Sequence, residues 1–404
     1  MKVLISLKKI EEARKRIAPF IHKTPIESSK TLSKLSNCDV FLKLETFQKT
    51  GSYKVRGALN KILNLKENRM IKGVIAASAG NHAQGVAYSA SQVGVYSLIV
   101  MPETAPMSKI AATRNYGAEV ILHGEDFDSA YKKAKELAEE KNLYFIHAFD
   151  DPEVIAGQGT IALEILEDLK DVQAVIVPVG GGGLIAGVST AIKEINPKIK
   201  VIGVQAEGAP AVYLSIREGK IIELEKVNTI ADGIAVRRPG EITTQIIKKY
   251  VDEIILVSDE EIASAILLLI ERGKLIVEAA GAVGVAAIIA RKISLKGEKV
   301  LVILSGGNID VNMIARLIER GLIKTGRLLR FSTTLPDRPG ALVRILKIIA
   351  EERGNIVSIN HDRINLKIKP AEAEVTITVE TYGKDHIEKI LKSLEYHKYR
   401  IKLD

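Results

Sequence analysis

The amino-acid sequence predicts an α/β protein built from two or three domains. The chain has 404 residues, more than one ordinary hydrophobic core accommodates. Between residues 73 and 304, short apolar runs alternate with stretches of helical periodicity. The apolar runs are uninterrupted, which is typical of parallel sheets covered by helices on both faces. After residue 326 the order of elements changes, and this change predicts a separate C-terminal unit.

The first series of elements predicts a small parallel α/β unit. Its strands are expected at Val74–Ala77, Ser97–Met101, Ala118–Leu122 and Tyr144–Ile146. Its helices are expected at Ala83–Val93, Ser108–Tyr116 and Phe127–Glu140.

The second series predicts a larger unit of the same type. Its strands are expected at Ala174–Val179, Val201–Gln205, Glu253–Val257 and Val300–Leu304. Its helices are expected at Ala156–Leu166, Leu184–Ile195, Glu260–Arg272 and Ala280–Lys292. We expect the N-terminal arm to pack on this unit, which would put Lys54 in the cleft between the two.

The C-terminal unit is predicted to follow a break at Gly321–Gly326. Its strands are expected at Leu328–Thr334, Asn355–Asn360, Ala373–Thr381 and Tyr399–Leu403, with helices from Asp337 to about Glu352 and at Lys384–Leu394. This βαββαβ order is ferredoxin-like.

Composition and charge exclude several functional classes. Hydrophobic residues make up 47% of the chain and charged residues 26%, as in soluble globular proteins. The net charge of +9 comes from lysines and arginines spread among acids, as in Lys132–Glu136, so no nucleic-acid partner is expected. The most membrane-like stretch, Ala174–Ile192, contains Pro178 and the four-glycine run Gly180–Gly183, so no membrane partner is expected either.

The cysteine and histidine usage adds two expectations. One cysteine, Cys38, excludes an internal disulfide and fits a reducing, cytoplasmic location, and residues 1–19 show no signal peptide. The seven histidines have no HExxH or similar spacing, so no catalytic metal site is expected.

Lys54 is the first candidate for chemistry. It lies between Gly51 and Gly57, and glycine lets the backbone come close to a ligand. A lysine held in such a place can lose its proton and attack a carbonyl group. The alternative is a solvated surface lysine.

The segment Ser78–His82 is the second candidate. It is a small-residue turn between a buried strand and a helix start, where backbone N–H groups lack intrahelical acceptors. Such a turn suits a carboxylate or a phosphate. The alternative is a helix capped by Ser78 or Asn81.

Two further segments occupy comparable places. Gly180–Gly183 separates a strand from a helix, so several N–H groups would form a cup for one phosphate, unless the segment is only a flexible loop. No GxxxxGK[ST] or GxGxxG motif is present. Ser305 puts a hydroxyl at the carboxyl end of a buried strand, where open α/β sheets bind ligands, although it could simply cap a helix.

Together, these segments resemble the fold-type II pyridoxal-phosphate enzymes (the tryptophan synthase β-like fold), and among them the threonine dehydratases. The resemblance extends from about Ile5 to Gly321. The family's motifs occur in order at Lys43–Glu45, Thr50–Ala58, Ser78–Gly85, Gly180–Leu184 and Ser305–Asn308. Single motifs are shared with cysteine synthases and serine racemases, but the ordered set is specific.

The resemblance implies a cofactor, pyridoxal 5′-phosphate, and a role for each matching residue. Lys54 would carry the cofactor as an imine and take the substrate's α-proton, Asn81 would bind the ring oxygen, Ser305 the ring nitrogen, and the glycine amides the phosphate. The implied cofactor-binding set is Lys54, Asn81, Gly180, Gly181, Gly182, Gly183, Leu184 and Ser305. The implied substrate-binding set is Ser78, Ala79, Gly80, Asn81 and His82.

The implied reaction converts L-threonine to 2-oxobutanoate and ammonia, and L-serine to pyruvate, as a first step towards isoleucine. A neutral serine hydroxyl leaves the ring a weaker electron sink than an aspartate would, which favours loss of a β-substituent. Serine racemases place a serine where this chain has Ala79. A cation site of some relatives uses a glutamate matching Glu207, but Tyr213 replaces its second acid, so no metal is expected. A serine dehydratase, a racemase or a catalytically dead amino-acid sensor are the alternatives.

The turn Asp337–Leu342 resembles the signature of ACT domains, which sense amino acids. The resemblance implies an amino-acid effector near Asp337, Gly340, Ala341, Leu342 and Asn360, and a homodimer or homotetramer. A stabilising appendage without a ligand is the alternative. The predicted organisation is therefore a catalytic portion at 1–321 (small subdomain about 50–150), a linker at 322–326 and a regulatory portion at 327–404.

Overall fold

The computed structural model describes residues 5–364 and 369–403, which separate into two units at Asp310 and Val311. The first unit contains two sheets with helices around them. Its helices are α1 (Leu7–Ile17), α2 (Lys30–Ser36), α3 (Lys54–Asn68), α4 (Asn81–Gln92), α5 (Met107–Asn115), α6 (Phe127–Glu140), α7 (Pro152–Asp168), α8 (Gly183–Ile195), α9 (Ala211–Glu218), α10 (Glu241–Tyr250), α11 (Asp259–Leu268) and α12 (Ala279–Ile289). Its strands are β1 (Ile26–Ser28), β2 (Asp39–Leu44), β3 (Gly73–Ala77), β4 (Tyr96–Met101), β5 (Glu119–Leu122), β6 (Tyr144–Phe145), β7 (Ala174–Pro178), β8 (Lys200–Ala206), β9 (Glu253–Val257) and β10 (Lys299–Leu304).

The two sheets of the first unit are mostly parallel. The smaller has the order β5-β4-β3-β6 and is parallel throughout. The larger has the order β1-β2-β10-β7-β8-β9, and only the β1–β2 pair is antiparallel. β7 and β10 are fully buried apolar runs over most of their length, as parallel strands covered on both faces require.

The N-terminal arm joins the larger sheet through β2, as predicted. β2 runs parallel to β10, and Leu44 lies beside Leu304. The chain therefore leaves both strands at the same edge of the sheet. This register brings the segment that follows β2 alongside the turn that follows β10.

Several element boundaries differ from the predicted ones. α7 begins at Pro152 rather than Ala156, because the Asp151 side chain accepts hydrogen bonds from the N–H groups of Glu153 and Val154 and proline suits the first helical turn. α3 was not predicted, and it begins at Lys54 itself. The predicted helix at 260–272 is α11 followed by a π-helical turn, Leu269–Gly273.

The second unit is a two-layer α/β sandwich. Its elements are α13 (Val311–Lys324), β11 (Leu328–Pro336), α14 (Ala341–Glu351), β12 (Asn355–Asp362), β13 (Glu372–Glu380), α15 (Lys384–Tyr396) and β14 (Lys402–Leu403). The antiparallel sheet has the order β12-β13-β11-β14. The ferredoxin-like βαββαβ order is confirmed, with a core formed around Phe331, Ile345 and Ile377.

Two details of the second unit correct the prediction. α14 begins at Ala341 rather than at Asp337, because Gly340 has φ +84° and ends the turn in a left-handed conformation. The last strand is limited to Lys402–Leu403. Among the described residues, no helix is long and apolar enough to cross a lipid bilayer.

Candidate active site

Lys54 lies where the two strand ends of the larger sheet meet. The Tyr53 N–H donates to the Ser305 carbonyl at 3.0 Å, and the Gly307 N–H donates to the Gly51 carbonyl at 2.8 Å. These bonds fix the first turn of α3 against the turn that follows β10. Ser52 forms an isolated antiparallel bridge with Gly306. The structure therefore brings Lys54 and Ser305, 251 positions apart in the chain, to one place.

The Lys54 amine is partly buried and hydrogen-bonded. Its Nζ donates to the Ala148 carbonyl at 3.1 Å. Burial lowers the pKa of Lys54 to about 8, and the nearby Glu278 carboxylate acts in the opposite direction. Roughly one tenth of such amines are unprotonated at pH 7 and about half at pH 8, far more than for an ordinary lysine, and a nucleophile or a base requires this form.

Asn81, the first residue of α4, joins a chain of hydrogen bonds across the site. Its Nδ2 donates to both carboxylate oxygens of Glu278, at 2.8 and 2.9 Å. Its Oδ1 accepts from Asn308 Nδ2 at 2.8 Å, and the same Asn308 nitrogen donates to the Thr50 carbonyl at 2.7 Å. Three predicted motifs, around Thr50, Asn81 and Asn308, thus meet at one point.

The segment before α4 offers backbone donors. The Ser78 hydroxyl accepts from the Gly80 N–H at 3.1 Å. Within the described part of the chain, the N–H groups of Ala79, Asn81 and His82 have no hydrogen-bond acceptor. A cluster of free N–H groups at a helix start can bind a carboxylate.

His82 does not face the solvent as a charged group. Its Nε2 lies 2.9 Å from the Ile146 carbonyl, which can only accept, so this nitrogen carries the proton. Burial lowers the pKa of His82 to about 3, helped by the positive charge of Lys54. His82 is therefore a neutral residue whose Nδ1 is buried without a partner among the described residues.

The glycine turn Gly180–Gly183 forms a close-fitting cradle at the start of α8. Within residues 5–364 and 369–403, no acceptor lies opposite the N–H groups of these four glycines or of Leu184. Gly182 has φ +95°, which favours glycine. A Cβ on Gly181 would lie 2.5 Å from the ring of Phe149, and one on Gly183 would lie 2.9 Å from Phe149 Cα.

Residues 147–150 connect this cradle to Lys54. Ala148 accepts from the Lys54 amine, and the next residue, Phe149, packs against the glycines. Asp150 then accepts from three N–H groups at the start of α10, and Thr243 of that helix donates its hydroxyl to the Gly181 carbonyl at 2.7 Å. The turn is thus held from both sides rather than being a flexible loop.

A buried ion cluster supports α3 immediately after Lys54. Arg56 donates to both carboxylate oxygens of Glu45 and of Glu164, at 2.6–3.0 Å. Lys43 donates to Glu164 at 2.6 Å, so two cations balance two anions. Arg56, Lys43 and Glu45 are fully buried. The cluster ties α3 to β2 and α7.

Sequence reasoning missed some of these residues. Glu278 and Glu164 lie outside the motifs that carry the family resemblance, whereas Arg56, Lys43 and Glu45 lie inside them without an implied role. Asn308 belongs to the motif after β10, and the sequence implies no role for it either. A charged residue inside an otherwise apolar stretch is the only signal that the sequence carries for Glu164.

The predicted effector residues lie in the second unit. Asp337 accepts from Arg363 Nε and from one of its terminal nitrogens, at 2.9 and 2.7 Å. Gly340 precedes Ala341 and Leu342 at the start of α14. Asn360 lies on β12 and lines a cavity of about 620 Å³ between α13 and the sheet; none of Asp337–Leu342 lines it.

The position matched to a cation ligand is taken by an ion pair. Lys292 Nζ donates to Glu207 at 3.1 Å and to Glu261 at 2.8 Å. Among the described residues, no group of three or more histidine, cysteine or acidic side chains could hold a metal ion.

These residues fit the phosphate and the aldehyde of pyridoxal phosphate. The unbonded glycine amides form a cup of the right polarity for a phosphate. Lys54 supplies a reactive amine for the aldehyde. The hydroxyls of Thr50 and Ser52, on the segment that leads to Lys54, are buried without partners among the described residues and could bind a polar group of a ligand. Fold and site together define an α/β enzyme of the pyridoxal-phosphate class, followed by a ferredoxin-like unit.

Comparison with known proteins identifies the family. The family model "Pyridoxal-phosphate dependent enzyme" matches residues 17–306, and the ACT domain model matches residues 330–397. L-threonine ammonia-lyase of Thermotoga maritima is 50% identical over 400 residues, which cover 99% of this chain and 100% of that protein. The chain belongs to the pyridoxal-phosphate-dependent enzyme family, in the branch that includes the L-threonine ammonia-lyases, and carries a C-terminal ACT domain.

Two solved structures are similar in fold. The structure of maize serine racemase has a TM-score of 0.75 and 36% identity, covering 80% of this chain and 99% of that one. The processed form of threonine deaminase isoform 2 from Solanum lycopersicum has a TM-score of 0.74 and 42% identity, covering 78% of this chain and 86% of that one. The predicted family, fold and cofactor are confirmed.

Proposed function

We propose that this enzyme is an L-threonine ammonia-lyase that converts L-threonine to 2-oxobutanoate and ammonia, and L-serine to pyruvate and ammonia. The observation that carries the proposal is the partly buried Lys54 amine. Its pKa is lowered to about 8, and it lies between the glycine cradle and the Asn81–Ser305 side of the site. Relatives named as L-threonine ammonia-lyases support the choice of substrate.

The cofactor would be held at three points. The N–H groups of Gly180–Gly183 and Leu184 bind its phosphate, Asn81 binds its ring oxygen, and Ser305 binds its ring nitrogen. When bound, the cofactor supplies an electron sink that stabilises negative charge at the substrate's α-carbon. Since the Ser305 hydroxyl is neutral, it does not hold the ring nitrogen protonated as a carboxylate would.

The substrate's carboxylate binds at the start of α4. The free N–H groups of Ala79, Asn81 and His82 indicate a site for an anion. The imidazole of His82 is neutral, so His82 contributes its backbone N–H rather than a charge. Ser78 and Gly80 shape this turn through their own hydrogen bond. This arrangement orients the α-carbon towards Lys54.

Lys54 then moves the protons. Its amine takes the α-proton of the substrate, because desolvation keeps a sizeable fraction of the amine unprotonated at working pH. Departure of the β-hydroxyl as water and hydrolysis of the resulting enamine give one 2-oxo acid and one ammonia per substrate. Ala79 has no proton to donate to the opposite face, which favours elimination over racemisation.

The proposed function also implies a domain organisation, an assembly and a cellular compartment. By function, we assign residues 1–321 to the catalytic portion, with a small subdomain at about 50–150, residues 322–326 to a linker, and residues 327–404 to a regulatory portion that binds an amino acid. The compact units divide earlier, between Asp310 and Val311, so α13 runs from the end of the assigned catalytic portion into the assigned linker. We further propose that the enzyme is a homodimer or homotetramer, that it works in the cytoplasm, and that it catalyses the first step towards isoleucine. The single cysteine supports this compartment.

One assay tests the reaction and its alternatives. Purified enzyme is mixed separately with L-threonine and L-serine, the 2-oxo acids are quantified, and the serine reaction is analysed by chiral chromatography. We expect 2-oxobutanoate and pyruvate with little D-serine. D-serine formed as fast as pyruvate would identify a racemase, and no 2-oxo acid from either substrate would identify a sensor without catalysis.

A further inference from the structure

Glu278 is a buried carboxylate that has no part in the mechanism above. It immediately precedes α12, a position where side chains often cap the helix, but its side chain makes no capping bond. Only 5% of the residue is exposed. Removing a carboxylate from water has a large desolvation free energy, so a carboxylate this buried must be stabilised by specific partners.

Glu278 contacts the two elements that would bind the cofactor's ring. On one side it accepts from Asn81, at the start of α4. On the other, its N–H donates to the Gly306 carbonyl at 3.0 Å, next to Ser305. A Cβ on Gly306 would lie 2.5 Å from Glu278 Oε1, so the carboxylate packs directly against this backbone.

The hydrogen-bond chain at this point has a fixed direction. The Thr50 carbonyl can only accept, so Asn308 must turn its Nδ2 towards it. The same nitrogen has its second hydrogen for Asn81, which makes Asn81 Oδ1 an acceptor. Asn81 Nδ2 is consequently a donor, and Glu278 is the acceptor that ends the chain.

We propose that Glu278 is a positioning residue for the cofactor: by accepting from Asn81 Nδ2 it fixes the orientation of this amide and leaves one N–H hydrogen of Asn81 for the ring oxygen, and its negative charge stabilises the ammonium form of Lys54. This inference rests on the proposed function. It assigns two separable roles to one side chain, since a hydrogen-bond acceptor and a charge can be removed independently.

The groups around Glu278 make its charge responsive to pH. Lys54 and Tyr53 face it from the start of α3, Lys109 from α5, and Asp232 from the turn at Asp232–Ile234. Lys109 is itself paired with Asp232 at 2.5 Å, so it does not neutralise Glu278 alone. Burial raises the pKa of Glu278 to about 7, against the lowering effect of the Asn81 hydrogen bond. The carboxylate therefore changes charge near neutral pH.

Three variants of the holoenzyme separate the two roles. E278Q keeps an acceptor oxygen for Asn81 but removes the charge, whereas E278A removes both. E225Q is the matched control, because Glu225 is exposed in the loop before α10. The readouts are the cofactor's visible absorption between pH 5.5 and 9 and the dissociation constant of pyridoxal phosphate.

The expected results are specific to each variant. The wild type and E225Q should show a spectral transition near pH 7. E278Q should lose this transition yet bind the cofactor within about threefold of the wild type. E278A should bind it about tenfold more weakly, as expected when a buried donor loses its acceptor.

Each role has a result that overturns it. A transition near pH 7 that persists in E278Q contradicts the role of the charge, and unchanged cofactor affinity in E278A contradicts the positioning of Asn81. If E278A does not fold, E278Q together with E278D, which shortens the reach to Asn81, decides the same questions. A wild-type protein that binds no pyridoxal phosphate would instead reject the proposed function itself.

Discussion

At the scale of single residues, Lys54 shows how burial and charge compete. Desolvation favours the neutral amine, while the Glu278 carboxylate favours the ammonium form. Desolvation is the larger effect, so the pKa of Lys54 falls to about 8 instead of rising. The pKa of Lys54 is therefore close enough to neutral pH for the amine both to accept a proton and to return it.

Replacing Lys54 tests its assignment as the point of covalent attachment. The wild-type protein should be yellow, and borohydride reduction followed by peptide mapping should find a pyridoxyl group on Lys54. Lys54→Ala should lose the label and lower the rate of 2-oxo acid formation by at least about 10³-fold, because it removes the amine that takes the α-proton. Lys49→Ala, an exposed lysine five positions earlier, is the control and should behave as the wild type. A label on any other lysine would refute the assignment.

The sequence could predict some of the site residues but not others. Lys54, Asn81 and Ser305 stand beside glycines or at strand ends, where local sequence signals a ligand. Glu278 is 197 positions from Asn81, and only the fold makes them neighbours. No local pattern distinguishes such a residue from an ordinary residue at a helix start.

At the scale of elements, the glycine turn before α8 works because its neighbours leave no room for side chains. Gly181→Ala would place a methyl group 2.5 Å from the Phe149 ring. Either the turn or Phe149 must move, and residue 148 also holds Lys54. We expect Gly181→Ala to weaken pyridoxal phosphate binding by about tenfold or more, measured by calorimetry.

Gly273→Ala provides the control for this substitution. Its new Cβ would lie 3.6 Å from Leu275, an ordinary contact, and its φ is not in the left-handed region. Cofactor binding by this variant should match the wild type. Equal effects of the two substitutions would mean that the cradle does not hold the phosphate.

The ion cluster around Arg56 stabilises the joint between α3, β2 and α7. Arg56→Met leaves two buried carboxylates with Lys43 alone, and such an uncompensated charge costs about 3–5 kcal/mol. Arg14→Met removes a partly exposed ion pair with Glu167 and should cost less than about 1 kcal/mol. Urea unfolding of both variants measures the two costs, and similar values would contradict this role of the cluster.

The sequence predicts helices and strands that have strong hydrophobic periodicity. It does not predict the contacts that connect these elements to one another. The predicted bounds of α6 and β9 agree with the structure to the residue. The pairing of β2 with β10 and the start of α3 at Lys54 depend on contacts between distant segments. Hydrophobic periodicity carries information on one element at a time and cannot supply those contacts.

At the scale of the whole molecule, buried titratable groups set the pH dependence of stability. The pKa of Glu278 is raised from 4.5 to about 7, so the folded state binds a proton that the unfolded state has already released. The stability due to this group is complete below about pH 4.5 and is lost as the pH rises through 7. The difference is on the order of 3 kcal/mol, because the pKa rises from 4.5 to about 7.

Glu278→Gln should remove this dependence. The free energy of unfolding of the cofactor-free variant, relative to the cofactor-free wild type, should therefore increase between pH 4.5 and pH 8. Urea denaturation at pH 5, 6, 7 and 8 measures the difference, and Glu225→Gln serves as the control. A difference that stays constant across this range would show that Glu278 does not titrate as the structure indicates.

Regulation is the last property that belongs to the whole molecule, because it requires the ACT domain to influence the catalytic unit. An effector achieves this only if two global states differ in their affinity for it. A coupling of about 1–3 kcal/mol would change substrate affinity roughly 5- to 150-fold. Isoleucine is our first candidate, ahead of valine, serine and threonine, because the proposed reaction opens the route to isoleucine.

Gly340 is the position at which this regulation can be tested. It has φ +84°, and a Cβ there would meet nothing within 4 Å, so the fold itself leaves room for a side chain, which would obstruct an effector bound at this turn. Gly340→Asn suits this backbone better than a β-branched residue, since asparagine tolerates the left-handed region. Gly219→Asn is the matched control, with φ +72° and equally open space in the catalytic unit.

Isoleucine and valine are titrated by calorimetry, and the rate of 2-oxobutanoate formation is followed over the same range. We expect Gly340→Asn to abolish effector binding and the response of the rate while leaving the unregulated rate unchanged, and Gly219→Asn to retain both. No heat and no change in rate with any branched-chain amino acid in the wild type would leave the ACT domain a structural unit without an effector.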